Sequence, residues 1–191
     1  NAMVGWKGPG GFRRASKVVW RGYLAMRDRR SESDKRVSLS EKAFASYLLR
    51  IGVDFYSEVG TDADMKLKRD FIVDSKLVQV KAPTGKGRTP GLCCEFRAVN
   101  GSTGFLLLND FVVKFIDATT YKRYHCSDLA CYIRQVYGEP AQCLEQRNGA
   151  PHRVWYARKD WDGRSRKDEA CIMLPFDEIE RFCVSTVRIT Q

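Results

Sequence analysis

The stretch Lys68–Lys81, which reads Lys-Arg-Asp-Phe-Ile-Val-Asp-Ser-Lys-Leu-Val-Gln-Val-Lys, decides the fold that the sequence predicts. Two β-branched and aromatic runs, Phe71–Val73 and Leu77–Val80, stand on either side of three turn-forming residues. Strand-forming runs separated by a short polar turn are typical of a β-hairpin. The sequence therefore predicts a hairpin here, and the rest of the chain is interpreted around it.

Three polar side chains of this hairpin are predicted to converge at one end. Side chains alternate between the two faces of a strand, so Gln79 and Lys81 share a face, and Asp70 begins the partner strand at the same end. A carboxylate and an amide oxygen are hard ligands of the kind that Mg²⁺ prefers, and a lysine ammonium is a compact positive charge. Hydrolysis of a phosphodiester uses both, because it needs a divalent cation and a fixed positive group near the transition state.

The spacing of these residues resembles a known family. Asp70 followed by Gln79-Val80-Lys81 looks like the core of the PD-(D/E)XK nuclease superfamily, in particular its subgroup with Gln in the acidic position, typified by a homing endonuclease of a cyanobacterial group I intron. That pattern also has a Glu on a preceding helix, which Glu41 matches. The sequence departs from the pattern twice, with Arg69 in place of the Pro and with Gln79 in place of Asp or Glu.

The resemblance covers roughly residues 38–128, and it implies a fold, a cofactor and a role for each residue. The implied fold is an α/β domain of the restriction-endonuclease-like type, with a central mixed β-sheet flanked by helices. Asp70 is the expected principal ligand of Mg²⁺ or Mn²⁺, Gln79 supplies a second oxygen, and Glu41 binds the metal directly or through water. Lys81 assists the water and the transition state. Family members commonly work on DNA as dimers or tetramers.

Glu41 also has a structural interpretation that does not involve a metal. Ser38 and Glu41 have the spacing of a capping box, which would place them at the start of a helix. The following apolar residues recur at helical spacing, and Gly52 is a C-terminal helix breaker. The residues alone leave the two interpretations of Glu41 open.

The composition favours a nucleic-acid partner. The formal net charge is +10, and basic surfaces bind phosphate backbones. A basic amphipathic helix is predicted from Phe12 to about Arg30, and a basic Gly/Pro-rich loop follows Lys81. An acidic protein partner and a merely solvated helix remain as alternatives. The predicted contacts with double-stranded DNA are made by Arg13, Arg14, Lys17, Arg21, Lys86 and Arg88.

The seven cysteines and the hydropathy predict an intracellular, cytoplasmic protein, and the resemblance implies a bacterial or phage-host cell. An odd number of cysteines argues against a secreted disulfide framework, and no apolar run approaches the length of a membrane span. Buried free thiols in a reducing compartment are expected. A zinc site is the alternative, but the chain has no CxxC pair to support it. The candidate ligands for zinc are His125, Cys126, Cys131 and Cys143.

Three regions are expected along the chain: a basic N-terminal helix and linker (1–37), the nuclease-like core (38–137) and a C-terminal β/α extension of the same domain (138–191). Within the core, Leu92–Ala98 and Gly104–Leu108 are predicted strands, and a hairpin is predicted over residues 110–126. In the extension, two strands and a short helix after Pro175 are predicted. Trp155, Tyr156 and Trp161 lie among basic residues, where aromatic rings either stack on nucleic acid or pack in the core.

The sequence therefore predicts a metal-dependent endonuclease that hydrolyses DNA. A DNA-binding module on the same fold, with catalysis weakened by the missing carboxylate, is the rival interpretation. A third is an interaction protein whose basic face meets an acidic partner.

Overall fold

The computed structural model describes residues 32–59, 69–85, 90–98, 101–140, 144–146, 152–158 and 169–189, with the backbone alone described for 32–36, 144–146 and 158. Within these residues the chain is an α/β structure with two β-sheets and helices packed on them. None of the described helices combines the length and the hydropathy needed to cross a membrane.

The first sheet has six strands in the spatial order β1-β2-β3-β5-β6-β10. Only β3 and β5 run parallel in it, and the other neighbours are antiparallel. It is therefore a mixed sheet, as the sequence predicts. Its strands are β1 (Phe55–Ser57), β2 (Phe71–Val73), β3 (Lys76–Lys81), β5 (Phe111–Phe115), β6 (Thr120–His125) and β10 (Cys183–Arg188).

The central hairpin is confirmed as β2 and β3. The two strands pair antiparallel, with Phe71 opposite Val78 and Val73 opposite Lys76. Asp74 and Ser75 form the turn with φ of 48° and 63°. Two consecutive residues with positive φ are typical of a type I′ turn, whose twist matches that of the strands it joins.

A second sheet was not predicted. It has the order β4-β9-β8-β7, formed by β4 (Gly91–Arg97), β9 (Ala170–Pro175), β8 (Trp155–Arg158) and β7 (Leu144–Gln146). The strand expected at Leu92–Ala98 exists, but it pairs with β9 instead of completing the sheet of the central hairpin. The C-terminal region thus contributes to both sheets, because β9 joins the second and β10 pairs with β6 in the first.

The first helix is longer than predicted. Helix α1 extends over Glu32–Arg50, so residues 32–36, predicted as a linker, are helical. Ser38 and Glu41 consequently lie inside the helix, and the capping-box interpretation of Glu41 is wrong, since a capping box needs the serine at the first position. The charged residues before Ser38 are adequate helix formers, which composition alone does not separate from a polar linker.

One predicted strand is a helix. Residues Phe105–Leu108 form the short helix α2, with Phe105 and Leu106 buried and Leu107 exposed. Four consecutive apolar residues have no periodicity that distinguishes helix from strand. Gly104 lets this helix approach β4, because a Cβ there would lie 2.2 Å from the carbonyl oxygen of Glu95. The remaining helices are α3 (Cys126–Tyr137) and α4 (Phe176–Ile179), the latter followed by a 3₁₀ turn at Glu180–Phe182.

The first sheet separates two hydrophobic cores. On one face, Val78 and Val80 pack in a core with Phe44 and Leu48 of α1. The other core contains Val112 of β5 together with residues of α2, α3 and the second sheet. Each face of β3 therefore looks towards a different part of the structure, and Gln79 and Lys81 belong to the face opposite α1.

Candidate functional site

Asp70 and Gln79 are in direct contact at the end of the central hairpin. Asp70 immediately precedes β2, and its backbone N–H donates to Val78 O at 3.0 Å, which continues the ladder by one residue. Its Oδ2 accepts hydrogen bonds from Gln79 Nε2 and from the backbone N–H of Val80, each at 2.5 Å. Both side chains are buried, with Asp70 1% and Gln79 7% exposed. The tight turn fixes the register that brings the two residues together.

The side-chain oxygens of Asp70 and Gln79 suit a hard divalent cation once the Gln79 amide is rotated. As placed, the Gln79 amide turns its nitrogen towards the carboxylate, as expected for an amide beside an anion. A half-turn of the amide would present Oε1 instead, and a cation between the two oxygens makes that arrangement favourable. Asp70 and Gln79 thus fit Mg²⁺ or Mn²⁺, which when bound lowers the pKa of water and neutralises phosphate charge.

Lys81 lies on the same face of β3 and is half-buried. Its Nζ is 4.2 Å from the centroid of the Phe105 ring, a cation–π contact that holds the ammonium against α2. Because Gln79 and Lys81 are two residues apart on one strand, both project from the face opposite α1. The sequence prediction that they share a face agrees with these contacts.

Glu41 approaches from the other side of the sheet. It is 8% exposed, and it precedes Phe44 and Ala45 by three and four residues, on the side of α1 that packs towards Val78 and Val80. A metal shared by Glu41, Asp70 and Gln79 would therefore have to lie beyond the end of β3. The role of Glu41 as a ligand stays a prediction.

Lys114 is a charged residue of this region that the sequence interpretation missed. It is opposite Lys81 in the parallel pairing of β3 with β5, and it is only 7% exposed. Its ammonium donates a hydrogen bond to the carbonyl of Ala82, the residue after Lys81. Burial, with the nearby charge of Lys81, lowers the pKa of Lys114 to about 8 although Cys93 acts in the opposite direction. The signal in the sequence was a single lysine in the otherwise apolar strand Phe111–Phe115.

A second group of potential ligands lies in the second sheet. One ligand atom each from Glu95, Glu169 and Cys171 falls within 4.8 Å of the others. Glu95 and Cys171 are opposite each other on β4 and β9, and Glu169 and Cys171 are fully buried. All three residues have further interactions within the protein, so we assign no metal to this group.

The six described cysteines are free thiols, as predicted, but only Cys94, Cys126 and Cys171 are also buried. Of the candidate zinc ligands, Cys126 is buried in the core and Cys131 is exposed on α3, while Cys143 lies outside the described residues. Burial raises the pKa of the Cys126 thiol to about 12, which disfavours the thiolate that zinc requires.

The predicted DNA contacts lie outside the described residues. This applies to all six: Arg13, Arg14, Lys17, Arg21, Lys86 and Arg88. Trp155 and Tyr156 are 7% and 2% exposed, and Trp155 packs edge-on against Phe96, so both rings are core residues and do not form a stacking platform. Trp161 is also outside the described residues.

We compared the chain with models of protein families, with curated proteins and with solved structures, and it matches none of them.

Proposed function

We propose that the chain is an endonuclease that hydrolyses phosphodiester bonds of DNA with a divalent cation at Asp70 and Gln79. The observation that carries the proposal is the contact of Asp70 with Gln79 on the face of β3 that also bears Lys81. In this proposal Asp70 and the oxygen of Gln79 hold Mg²⁺ or Mn²⁺, and Lys81 orients the attacking water and stabilises negative charge on the phosphate.

The net charge of +10 supports a polyanionic substrate. The carboxyl ends of the parallel strands β3 and β5 meet near Lys81, and such ends are where α/β sheets commonly bind ligands. We propose duplex DNA as the substrate and a dimer or tetramer as the active form, because cutting both strands needs two sites. Glu41 is proposed as an additional ligand, directly or through water.

A DNA-binding module without turnover is the second candidate function. It is favoured by the orientation of Gln79, whose amide nitrogen and the Val80 N–H together satisfy Asp70 Oδ2 without any cation. An amide ligand also carries no net charge, so it attracts a cation less strongly than a carboxylate does.

Cleavage of supercoiled plasmid with Mg²⁺ or Mn²⁺, against EDTA, tests the proposal. We expect wild type to nick or linearise the plasmid only with metal, and Asp70→Ala or Lys81→Ala to lower the rate by at least about 10²–10³. Duplex binding in EDTA should change little in Asp70→Ala, should weaken by no more than about tenfold in Lys81→Ala, and should fall steeply with salt in wild type and both variants. Lys76→Ala, at the exposed start of the same strand, is the matched control.

Two results would contradict the proposal. If Asp70→Ala and Lys81→Ala cut at the wild-type rate, the catalytic assignment is wrong. If wild type binds DNA but never cuts it with any divalent metal, the binding module is the correct function.

A further inference from the structure

Three lysines lie side by side across the first sheet. Lys81 of β3 is opposite Lys114 of β5, and Lys114 is opposite Lys122 of β6. Neighbouring strands are about 4.8 Å apart, and residues opposite each other project from the same face. The ammonium groups of Lys81 and Lys122 lie over the rings of Phe105 and Phe176, respectively. Phe105 belongs to the core opposite α1 and Phe176 packs against it, so both lysines project from that face of the sheet. We call Lys81, Lys114 and Lys122 the lysine row.

Such a row is unfavourable by itself. Like charges directly opposite each other destabilise a sheet, and the repulsion grows where the surroundings exclude water. Lys122 has a counter-charge, because it pairs with Glu180. Among the ion pairs of the described residues, neither Lys81 nor Lys114 takes part in one. Two neighbouring ammonium groups are thus left without an acidic partner in the part of the chain that is described.

The burial of Lys114 makes this placement specific. A surface lysine would turn its ammonium to water. Lys114 is instead only 7% exposed and donates a hydrogen bond to the carbonyl of Ala82. That bond fixes the chain immediately after Lys81. Buried ionisable groups with perturbed pKa values occur preferentially at functional sites, where a ligand can supply the missing partner.

We propose that Lys81 and Lys114 together form a seat for one phosphate group of the DNA backbone, in which Lys81 contacts the phosphate and Lys114 acts as a positioning residue behind it. The inference rests on the proposed function for the identity of the anion, but it concerns binding and not hydrolysis. Lys114 contributes its charge at low dielectric and holds the end of β3 through Ala82. The phosphate supplies the counter-charge that the lysine row lacks.

Binding of a phosphate at this seat should change the protonation of Lys114. The pKa of Lys114 is lowered to about 8, so a large fraction of this side chain is neutral at pH 8 in the free protein. A phosphate anion nearby favours the charged form and raises that pKa. Binding at pH 8 should therefore take up as much as about half a proton per site. Exposed lysines with ordinary pKa values near 10.4 remain charged and contribute almost nothing in this range.

Within the described residues, the titratable groups that face Lys114 are few and can be varied separately. They are Lys81 on β3, Lys122 on β6 and the thiol of Cys93 on β4, and Cys93 in turn contacts the hydroxyl of Tyr156 at 3.1 Å. Cys93→Ala removes the thiol that, among the described residues, acts directly on Lys114. Lys114→Arg keeps a charge that does not titrate below pH 12.

The test is binding of a 20-base-pair duplex to the full chain in EDTA, measured by fluorescence anisotropy between pH 7 and 9 and by calorimetry at pH 8 in two buffers of different ionisation enthalpy. We expect the affinity of wild type and of Cys93→Ala to fall with rising pH, with proton uptake at pH 8.

Lys114→Met should bind roughly three- to tenfold more weakly at pH 7, with a salt slope lower by about one and no proton uptake. Lys114→Arg should bind with an affinity independent of pH, and Lys76→Met, the matched control, should behave as wild type.

The inference is overturned if Lys114→Met binds with the affinity and pH profile of wild type, or if wild type does not bind the duplex at all. If Lys114→Met does not fold, the pH independence of Lys114→Arg decides the matter. The outcomes separate the seat from the proposed hydrolysis. Binding with the expected pH dependence but without cleavage leaves the seat standing and removes the nuclease, whereas cleavage with an unchanged Lys114→Met does the reverse.

Discussion

Two charged side chains with little solvent exposure, Glu178 and Lys114, have opposite electrostatic environments. Glu178 on α4 is surrounded by donors: its Oε1 accepts hydrogen bonds from the hydroxyls of Tyr132 and Tyr137 at 2.8 and 2.5 Å, and its Oε2 accepts one from Arg153 Nε at 2.7 Å. We call these four residues the Glu178 network. Lys114, by contrast, has one backbone carbonyl and a neighbouring like charge.

The electrostatic consequences follow from the partners. At Glu178, burial alone would raise the pKa, but the donors outweigh it and the pKa of Glu178 is lowered. At Lys114, burial and the charge of Lys81 both lower the pKa. The charged form is therefore stabilised by the fold in one region and destabilised in the other. A charge with a full set of partners holds the structure together, and a charge without one suits a ligand.

Removing the charge of Glu178 should give the largest change in stability. Glu178→Gln exchanges one carboxylate oxygen for an amide that donates, so it opposes the donors that face it. We expect the free energy of unfolding at pH 7 to fall by about 2–3 kcal/mol, with DNA binding unchanged. Urea unfolding followed by circular dichroism measures it. Because the folded pKa is lowered, this stabilisation is present above the unfolded pKa and is lost as pH falls through the folded value, so the difference from wild type should shrink in acid.

Glu139→Gln is the control for that experiment. Glu139 pairs with Arg134 on the surface, with side chains 65% and 47% exposed, and its loss should change stability by less than about 0.5 kcal/mol. Equal effects of the two substitutions would mean that the Glu178 network contributes no more than a surface ion pair.

Removing the charge of Lys114 should have the opposite sign. The fall of its pKa from 10.5 to about 8 corresponds to about 3 kcal/mol of destabilisation by the charged form below pH 8. Lys114→Met removes that cost but leaves the carbonyl of Ala82 without its donor, which costs about 1 kcal/mol. We therefore expect the variant to be about 2 kcal/mol more stable than wild type at pH 7 in urea unfolding.

The pH dependence distinguishes this effect from improved packing. Between pH 8 and 10.5 the unfolded chain binds more protons than the folded one, so wild-type stability rises with pH in that window. The advantage of Lys114→Met should then disappear by about pH 10.5. An advantage that is the same at pH 7 and pH 10 would show that the buried charge is not its cause.

The sequence predicts the local contacts of this structure better than the long-range ones. The β2–β3 hairpin was predicted correctly because its signals are local: two strand-forming runs and a turn whose residues accept positive φ. The contact of Asp70 with Gln79 follows from that register. The parallel placement of Lys81 beside Lys114 depends on a crossover through β4 and α2, and no local pattern gives it.

Long-range pairing also accounts for the errors in the fold. β4 has the alternation expected of a strand, but its partner is β9, more than seventy residues later, and nothing in its sequence selects that sheet. Strand β10, Cys183–Arg188, was not predicted, although it pairs with β6 over most of its length. Its side chains are only half-buried or exposed, so the apolar alternation that identifies a strand is weak.

Substitution of Gln79 should have the smallest and most selective effect. It replaces the hydrogen bond between Gln79 and Asp70 by a repulsive contact. In Gln79→Glu the donor 2.5 Å from Asp70 Oδ2 is replaced by a second carboxylate. Two carboxylates at that distance repel, so one of them holds a proton until a cation displaces it. We expect Mg²⁺ to bind about tenfold more tightly than in wild type at pH 8, with the gain decreasing in acid as the proton competes. Isothermal titration with Mg²⁺, or the rise of the melting temperature with Mg²⁺ concentration, measures the affinity.

Gln79→Leu, which has neither oxygen nor donor, should bind the cation more weakly than wild type. If Gln79→Glu binds Mg²⁺ no better than Gln79→Leu, the cation does not lie between positions 70 and 79, and this end of the hairpin resembles the Glu178 network more than the lysine row.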